Sequence, residues 1–248
     1  MINLSKYSIL LLAAGTGKRF GKKGKKHPKS LIKIKKKYLI EIIIDILKKR
    51  KAKKISIVLG YKSHMILQVL KKIKGIRFNI IKIENFRKNN HGCSWHSFKK
   101  SWFKKKMPIL LLHTDIFFNP LFLDNIIRNK NKNIIGIHSN NKILKKNSLV
   151  VEADKKLRIK KINYISKIKN FLGEVIGINK ISKLSSEKIF NFMDKFLVRR
   201  NKKLPWEIVI NNYIKFTGDS LYVIKKQNYY WVNINSNKDY VKLRKFYK

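Results

Sequence analysis

Cysteine occurs once in the 248 residues, at Cys93. One thiol excludes an intramolecular disulfide and a thiolate metal cluster, and it suits a reducing compartment, so the cytoplasm is the expected location. No stretch approaches the roughly 20 apolar residues that span a bilayer, and a soluble chain with no membrane insertion is expected. The N-terminal "SILLLAAG" ends in small residues as a signal peptide does. It runs straight into "GTGKRFG", however, and reads as a buried first strand. Repeats, low-complexity blocks and linker-like segments are also missing, so a single domain over 1–248 is expected.

Acidic residues are scarce, 13 against 60 Lys and Arg, for a formal net charge of +47. A charge of that size ordinarily points to a polyanion. Arginine is scarce too, confined to positions 19, 50, 77, 87, 128, 158, 199, 200 and 244. Arginine is favoured where planar, bidentate recognition of phosphates or bases is built. A composition led by Lys, Ile and Asn is what AT-biased coding produces, so the excess charge is assigned to solvated faces and no nucleic-acid partner is expected. What the chain does have is core material: 44% hydrophobic residues, with 14 Phe, 10 Tyr and 4 Trp. That is enough for one large α/β domain.

Apolar patterning supplies the order of elements. "SILLLAA" is a strand, and 38–51 is a helix with Leu39, Ile42, Ile43, Ile46 and Leu47 on one stripe. "ISIVLG" is a strand, "SHMILQVLKKI" a helix, "RFNIIKI" a strand, "SWHSFKKSWF" a short amphipathic helix and "MPILLLH" a strand. This alternation predicts a three-layer, doubly wound α/β fold with a mostly parallel sheet. The second half changes character. "NIIGIHS", "NSLVVEAD", "LRIKKI" and "GEVIGINK" are strands separated by polar turns, a smaller mixed β region. Helices are expected over 185–198 and 205–215, then a hairpin-like pair "SLYVIKK" and "YYWVNI", then a closing helix from "NKDYVKLRKFY".

The glycine-rich stretch after the first strand, "AAGTGKRFG", lies where α/β proteins bind ligands, beyond the carboxyl end of a strand. Gly15, Gly17 and Gly21 clear the way for backbone N–H groups to approach phosphate oxygens, Arg19 offers a planar fork and Lys29 a compact charge. The string is neither a dinucleotide fingerprint nor a Walker A loop. Asp115 directly follows an apolar strand, where a hard cation prefers a carboxylate oxygen. Histidines show no paired metal-ligand spacing, and Ser94, His96 and Ser97 make no nucleophile elbow or triad, so His96 is at most a pocket-lining residue. Cys93 is read as structural, Asp45 and Asp124 as solvated helix-face residues, and Tyr230 and Trp231 as core packing.

"LLAAGTGKRFG" followed by "HPKSLIKI" resembles the signature of nucleotidyltransferases that activate phosphorylated small molecules, L-A-A-G-x-G-x-R and then P-K-x-L. The resemblance implies a nucleotide-diphospho-sugar-transferase-like (GT-A type) fold. It also implies nucleotide contacts from Leu12, Ala13, Ala14, Gly15 and Gly17, with Arg19 and Lys29 stabilising charge as pyrophosphate leaves. "PILLLHTDIFF" is similar to the family's strand ending in the aspartate that binds catalytic Mg²⁺, here Asp115, and "HGCSWHSF" to its base and ribose segment, with Gly92 and Ser97 as candidates. "GEVIGINK" and "YYWVNINSNKDYVKL" resemble the cytidylyltransferase branch that makes phosphocholine, phosphonate and cell-surface precursors. That branch carries a second metal-binding aspartate where this chain has Asn235, preceded by Asn233.

The implied activity is Mg²⁺-dependent transfer of CMP from CTP to a phosphorylated or phosphonate small molecule. The implied alternatives are a sugar-1-phosphate uridylyl- or thymidylyltransferase and a degenerate relative that binds nucleotide or polyanion. Three arrangements of the metal site stay open: the Asn235 carbonyl suffices, Asp115 works with Glu174 or Asp239, or the site only binds nucleotide. Asp239 reads best as a helix-start residue engaged with nearby backbone, and Glu174 as a strand residue facing the site.

Overall fold

The computed structural model describes residues 2–17, 26–84, 91–138, 144, 148–198, 204–224 and 229–246. Strand β1 (Ser8–Ala13) is followed by the small ribbon β2 (Lys33–Ile34) and β3 (Lys37–Tyr38), helix α1 (Leu39–Lys48), β4 (Lys54–Leu59), α2 (Ser63–Lys71) and β5 (Arg77–Lys82). Next come two short helices, α3 (His91–His96) and α4 (Lys99–Phe103), then β6 (Ile109–His113), β7 (Ile116–Phe118) and α5 (Pro120–Arg128). Strands β8 (Ile134–His138), β9 (Leu149–Ala153), β10 (Ile159–Tyr164) and β11 (Gly173–Ile181) form the mixed region. Helix α6 (Lys183–Met193) runs into a π-helical turn (Asp194–Val198), followed by α7 (Trp206–Thr217), β12 (Tyr222–Ile224), β13 (Trp231–Asn233) and α8 (Asn237–Phe246).

The main sheet runs β10-β9-β11-β6-β1-β4-β5, with β8 on β11 and β12 on β8. Strands β6, β1, β4 and β5 are parallel, and β11 lies antiparallel to β6. This is the expected doubly wound sheet with a mixed β region. Alternation makes it three-layered, because successive side chains of a strand face opposite ways. Ile9, Leu11 and Ala13 of β1 join the core under α1, α2, α5 and α8. Leu10 and Leu12 join the core under α3, α6 and α7. Among the described residues no helix is long and apolar enough to cross a membrane.

Three expectations are corrected. The late hairpin does not form: β12 pairs in parallel with β8, whereas β13 pairs antiparallel with β7. "SWHSFKKSWF" is two helices, because the chain turns at Ser97–Phe98 to bury Trp95, Phe98 and Trp102 together. Asp124 is not solvated. Its two oxygens accept from Arg50 Nε at 2.5 Å and Nη2 at 2.8 Å, with both side chains largely buried.

Candidate active site

The carboxyl ends of β1 and β6 lie side by side, and the segments leaving them are tied together. Thr114 donates its N–H and its hydroxyl to the Leu12 carbonyl, at 3.3 and 2.9 Å. The Ala14 carbonyl accepts from the Tyr61 N–H at 3.2 Å. Leu12, Ala13 and Ala14 are buried, so this strand end is rigid where it gives way to the glycine loop. Among the described residues nothing would meet a Cβ at Gly15, and Gly17 is buried with φ at 63°, a left-handed conformation that a side chain disfavours. Arg19 lies outside the described residues.

The chain returns to the site at a 3-10 turn, Lys29–Leu31, opened by Pro28. From there Lys29 Nζ donates to Asp115 Oδ2 at 3.2 Å and to Asn235 Oδ1 at 2.5 Å. Side-chain exposure is only 13% for Lys29 and 21% for Asp115, so the contact is poorly screened by solvent. Three sequence-predicted residues from three distant segments thus meet at one point. Asn235 arrives there through the β7–β13 ribbon, where the Asp115 carbonyl accepts from the Ile234 N–H at 2.8 Å. Asp239 fixes the following turn by accepting from the Asn235 N–H at 3.0 Å and the Ser236 hydroxyl at 2.8 Å, as a helix-start residue should.

The donor set suits Mg²⁺, a hard cation that is commonly held by one or two protein oxygens with substrate phosphates and water completing its shell. Asp115 and Asn235 supply two such oxygens, and the point they share already accommodates a cation, the Lys29 ammonium. Among the described residues no group of three or more His, Cys, Asp and Glu could hold a metal alone. A metal bound here would complete its shell with water and, when substrate is present, with phosphate oxygens.

Behind Asp115 stand residues that spacing alone did not single out. His113 Nδ1 lies 3.9 Å from Asp115 Oδ1, and His113 Nε2 accepts from Trp206 Nε1 at 2.8 Å. Beside Trp206, in the first turn of α7, Glu207 is 6% exposed and its Oε2 has no hydrogen-bond partner among the described residues. Burial pushes the Glu207 carboxyl up to about 8. Its own backbone N–H acts the other way, and the charge of Asp115 adds a smaller upward push. The sequence signal was an acid in the first turn of an otherwise apolar helix face, "PWEIVI".

The other candidates make contacts of their own. The Gly92 N–H donates to the Leu204 carbonyl at 3.2 Å, which ties α3 to the start of α7, and Trp95 packs edge-on against Trp206. The Ser97 hydroxyl donates to the Ser94 carbonyl at 2.8 Å. His96 Nε2 pairs with Asp194 at 2.8 Å. Glu174 accepts from the Ser148 hydroxyl at 2.8 Å and stands opposite His138 across the β8–β11 ladder. The His138 ring tilts against Trp231; Tyr230, expected in the core, is instead 37% exposed, with its ring stacked on Phe117.

No family model matches the sequence, and no curated protein matches it either. Solved structures do. The chain is similar to the CTP:phosphocholine cytidylyltransferase from Streptococcus pneumoniae, with 21% identity and a TM-score of 0.80 over 98% of this chain and 100% of that one. It is similar to the inositol-1-phosphate CTP transferase from T. maritima, with 16% identity and a TM-score of 0.80 over 98% and 97%. A UDP-glucose pyrophosphorylase complexed with UDP-glucose gives 14% identity and a TM-score of 0.80 over 100% and 98%. The likeness shows the fold: a nucleotide-diphospho-sugar-transferase-like sheet, shared with nucleotidyltransferases that use different nucleotides.

Proposed function

We propose that this chain is a nucleotidyltransferase that moves CMP from CTP to the phosphate or phosphonate oxygen of a small molecule, releasing pyrophosphate with the help of Mg²⁺. The observation that carries the reading is the convergence of Lys29 on Asp115 and Asn235, with Asp115 just beyond the carboxyl end of β6, the parallel neighbour of β1. Cytidylyl transfer is favoured by the "GEVIGI" and "WVNINSNKDY" segments and by two fold neighbours that use CTP. The equal fit to a UDP-glucose pyrophosphorylase favours a sugar-1-phosphate uridylyltransferase as the second reading.

In this reading the acceptor oxygen attacks the α-phosphorus while the bond to the bridging oxygen breaks, and pyrophosphate leaves with that electron pair. The acceptor is already an anion, so no strong general base is required. Lys29 neutralises charge on the departing phosphates, and Arg19 is assigned the same work on the loop. Leu12, Ala13, Ala14, Gly15 and Gly17 present backbone to the nucleotide, and Gly92 and Ser97 are assigned to the base and ribose side. Asp115 and Asn235 would hold Mg²⁺, which supplies Lewis-acid charge neutralisation to the phosphates. Lys29 holds the two oxygens that would hold the metal, and with those oxygens given to a metal the ammonium would be free to turn toward the triphosphate.

The test is pyrophosphate release with each of four NTPs and Mg²⁺ against phosphorylated choline, aminoethylphosphonate, amino-acid, polyol and sugar acceptors. CTP-confined release with one acceptor is expected; UTP- or dTTP-confined release would turn the reading to the second. Lys29→Ala and Asp115→Ala are each expected to lower turnover at least about a hundredfold with the fold intact. Turnover close to the parent's in either variant would refute the assigned roles.

A further inference from the structure

We propose that His113 is a positioning residue that orients the Asp115 carboxylate, held in the required tautomer by Trp206 and admitted to its place by Gly177. The proposal rests on the reading of Asp115 as the metal-binding carboxylate.

A tryptophan N–H can only donate, so at 2.8 Å from Trp206 Nε1 the His113 Nε2 must be the accepting nitrogen. The neutral ring then carries its hydrogen on Nδ1, the atom 3.9 Å from Asp115 Oδ1, beyond hydrogen-bond length but close enough for the N–H dipole to attract the carboxylate. The other carboxylate oxygen, Oδ2, accepts from Lys29. Asp115 is therefore addressed from both sides, by a cation that competes with metal and by a ring that does not. With Lys29 turned away and a metal in its place, the imidazole would remain beside Oδ1 and limit rotation of the carboxylate.

The backbone of β11 is bent to seat this ring. The strand carries an irregularity between Val175 and Asn179, where its partner changes register. Within it Gly177 adopts φ +73°, and a Cβ there would stand 2.7 Å from His113 Cγ. A side chain at 177 would be strained and would collide with the imidazole. Two segments far apart in sequence, the bulge of β11 and the start of α7, thus converge on a buried histidine two residues before the carboxylate. A ring that merely filled space would need neither an N–H aimed at Nε2 nor a glycine under its face. Outer groups that orient metal ligands commonly change metal affinity 10–100-fold when removed.

The experiment measures Mn²⁺ binding by electron paramagnetic resonance and the Mg²⁺ concentration for half-maximal pyrophosphate release. It compares the parent with His113→Leu, His113→Asn, Trp206→Phe and Asp115→Asn. The Asn side chain can place its N–H₂ where imidazole Nδ1 stands. We expect His113→Leu to raise both metal concentrations about tenfold, His113→Asn to stay within about threefold of the parent, and Trp206→Phe to fall between. A merely structural role would lower folding stability in Leu and Asn alike and leave the metal titrations in place. Equal shifts in Leu and Asn, or no shift in Leu and Phe while Asp115→Asn loses metal, would overturn the positioning role alone. Unchanged Mn²⁺ binding in Asp115→Asn would overturn the metal reading and this proposal with it. Should His113→Leu not fold, the Trp206→Phe and His113→Asn pair decides the matter.

Discussion

Glu207→Gln should make the protein more stable at neutral pH and flatten the pH dependence of its stability. The native carboxyl is pushed up to about 8, first by burial, whereas in the unfolded chain it titrates near its ordinary value of 4.5. Between those two values the unfolded chain releases a proton that the native state keeps. Native stability therefore falls as pH rises through this window, by as much as about 1.4 kcal/mol per pH unit. At pH 7 the accumulated loss is about 3 kcal/mol. Glutamine has nearly the same shape and no proton to lose, so it removes the loss, less about 1 kcal/mol for a buried N–H₂ with incomplete hydrogen bonding. The net gain of about 2 kcal/mol corresponds to about 4–8 °C in Tm for a chain of this length. Thermal and urea melts of parent and variant at intervals from pH 4.5 to 8 test this: the advantage of the variant should shrink toward acid and reverse at the acid end, where only the cost of the buried N–H₂ remains. Lys180, lowered to about 8 by burial, makes stability rise with pH between about 8 and its ordinary 10.5, outside the window measured. Parallel stability curves for parent and variant across the window would refute the reasoning.

Arg50→Ala should cost about 3 kcal/mol, because it leaves Asp124 partly buried without its two-pronged partner. Turnover at 25 °C should not change, since Arg50 follows α1 at the end of the sheet away from the site; in a urea titration, a midpoint matching the parent's would refute the assigned cost. Asn235→Asp should tighten Mn²⁺ binding about tenfold by adding a second carboxylate oxygen to the pair. A titration indistinguishable from the parent's would remove Asn235 from the metal site.

The parallel core was legible because its signals are local. Each of β1, β4 and β6 is an apolar run long enough to be buried on both faces, and α1 and α2 show their stripes between them. Lys29 and Asp115 were legible through the strand ends they follow, since position at a carboxyl edge is a property of order along the chain. Pairing was not legible where the partner is distant. "YYWVNI" and "SLYVIKK" look like neighbours, but β13 finds β7 more than 100 residues earlier and β12 finds β8, both driven by apolar faces that sequence order does not rank. Asp124 was misread for the same reason, because its partner Arg50 is 74 residues away. His113 carried no signal of its own: its meaning depends on which atom of Trp206 reaches it and on the bend at Gly177.

An amide at 235 changes the competition between Lys29 and a metal in a direction that elementary electrostatics fixes. In the structure the ammonium lies 2.5 Å from the Asn235 oxygen and 3.2 Å from Asp115, so it is neutralised mainly by one full negative charge. A carboxylate at 235 would hold the ammonium more tightly, which by itself would oppose metal entry. It would also attract any cation at that point in proportion to the cation's charge, so a dication gains about twice as much as an ammonium at the same distance. Exchange of Lys29 for a divalent metal is therefore favoured by Asn235→Asp, although by less than the carboxylate would give if the lysine were absent. Lys29 has its own signature in the absence of nucleotide. Replacing it with alanine removes the competing cation and should strengthen Mn²⁺ binding even as turnover is lost, a pairing of opposite effects that damage to the fold would not produce.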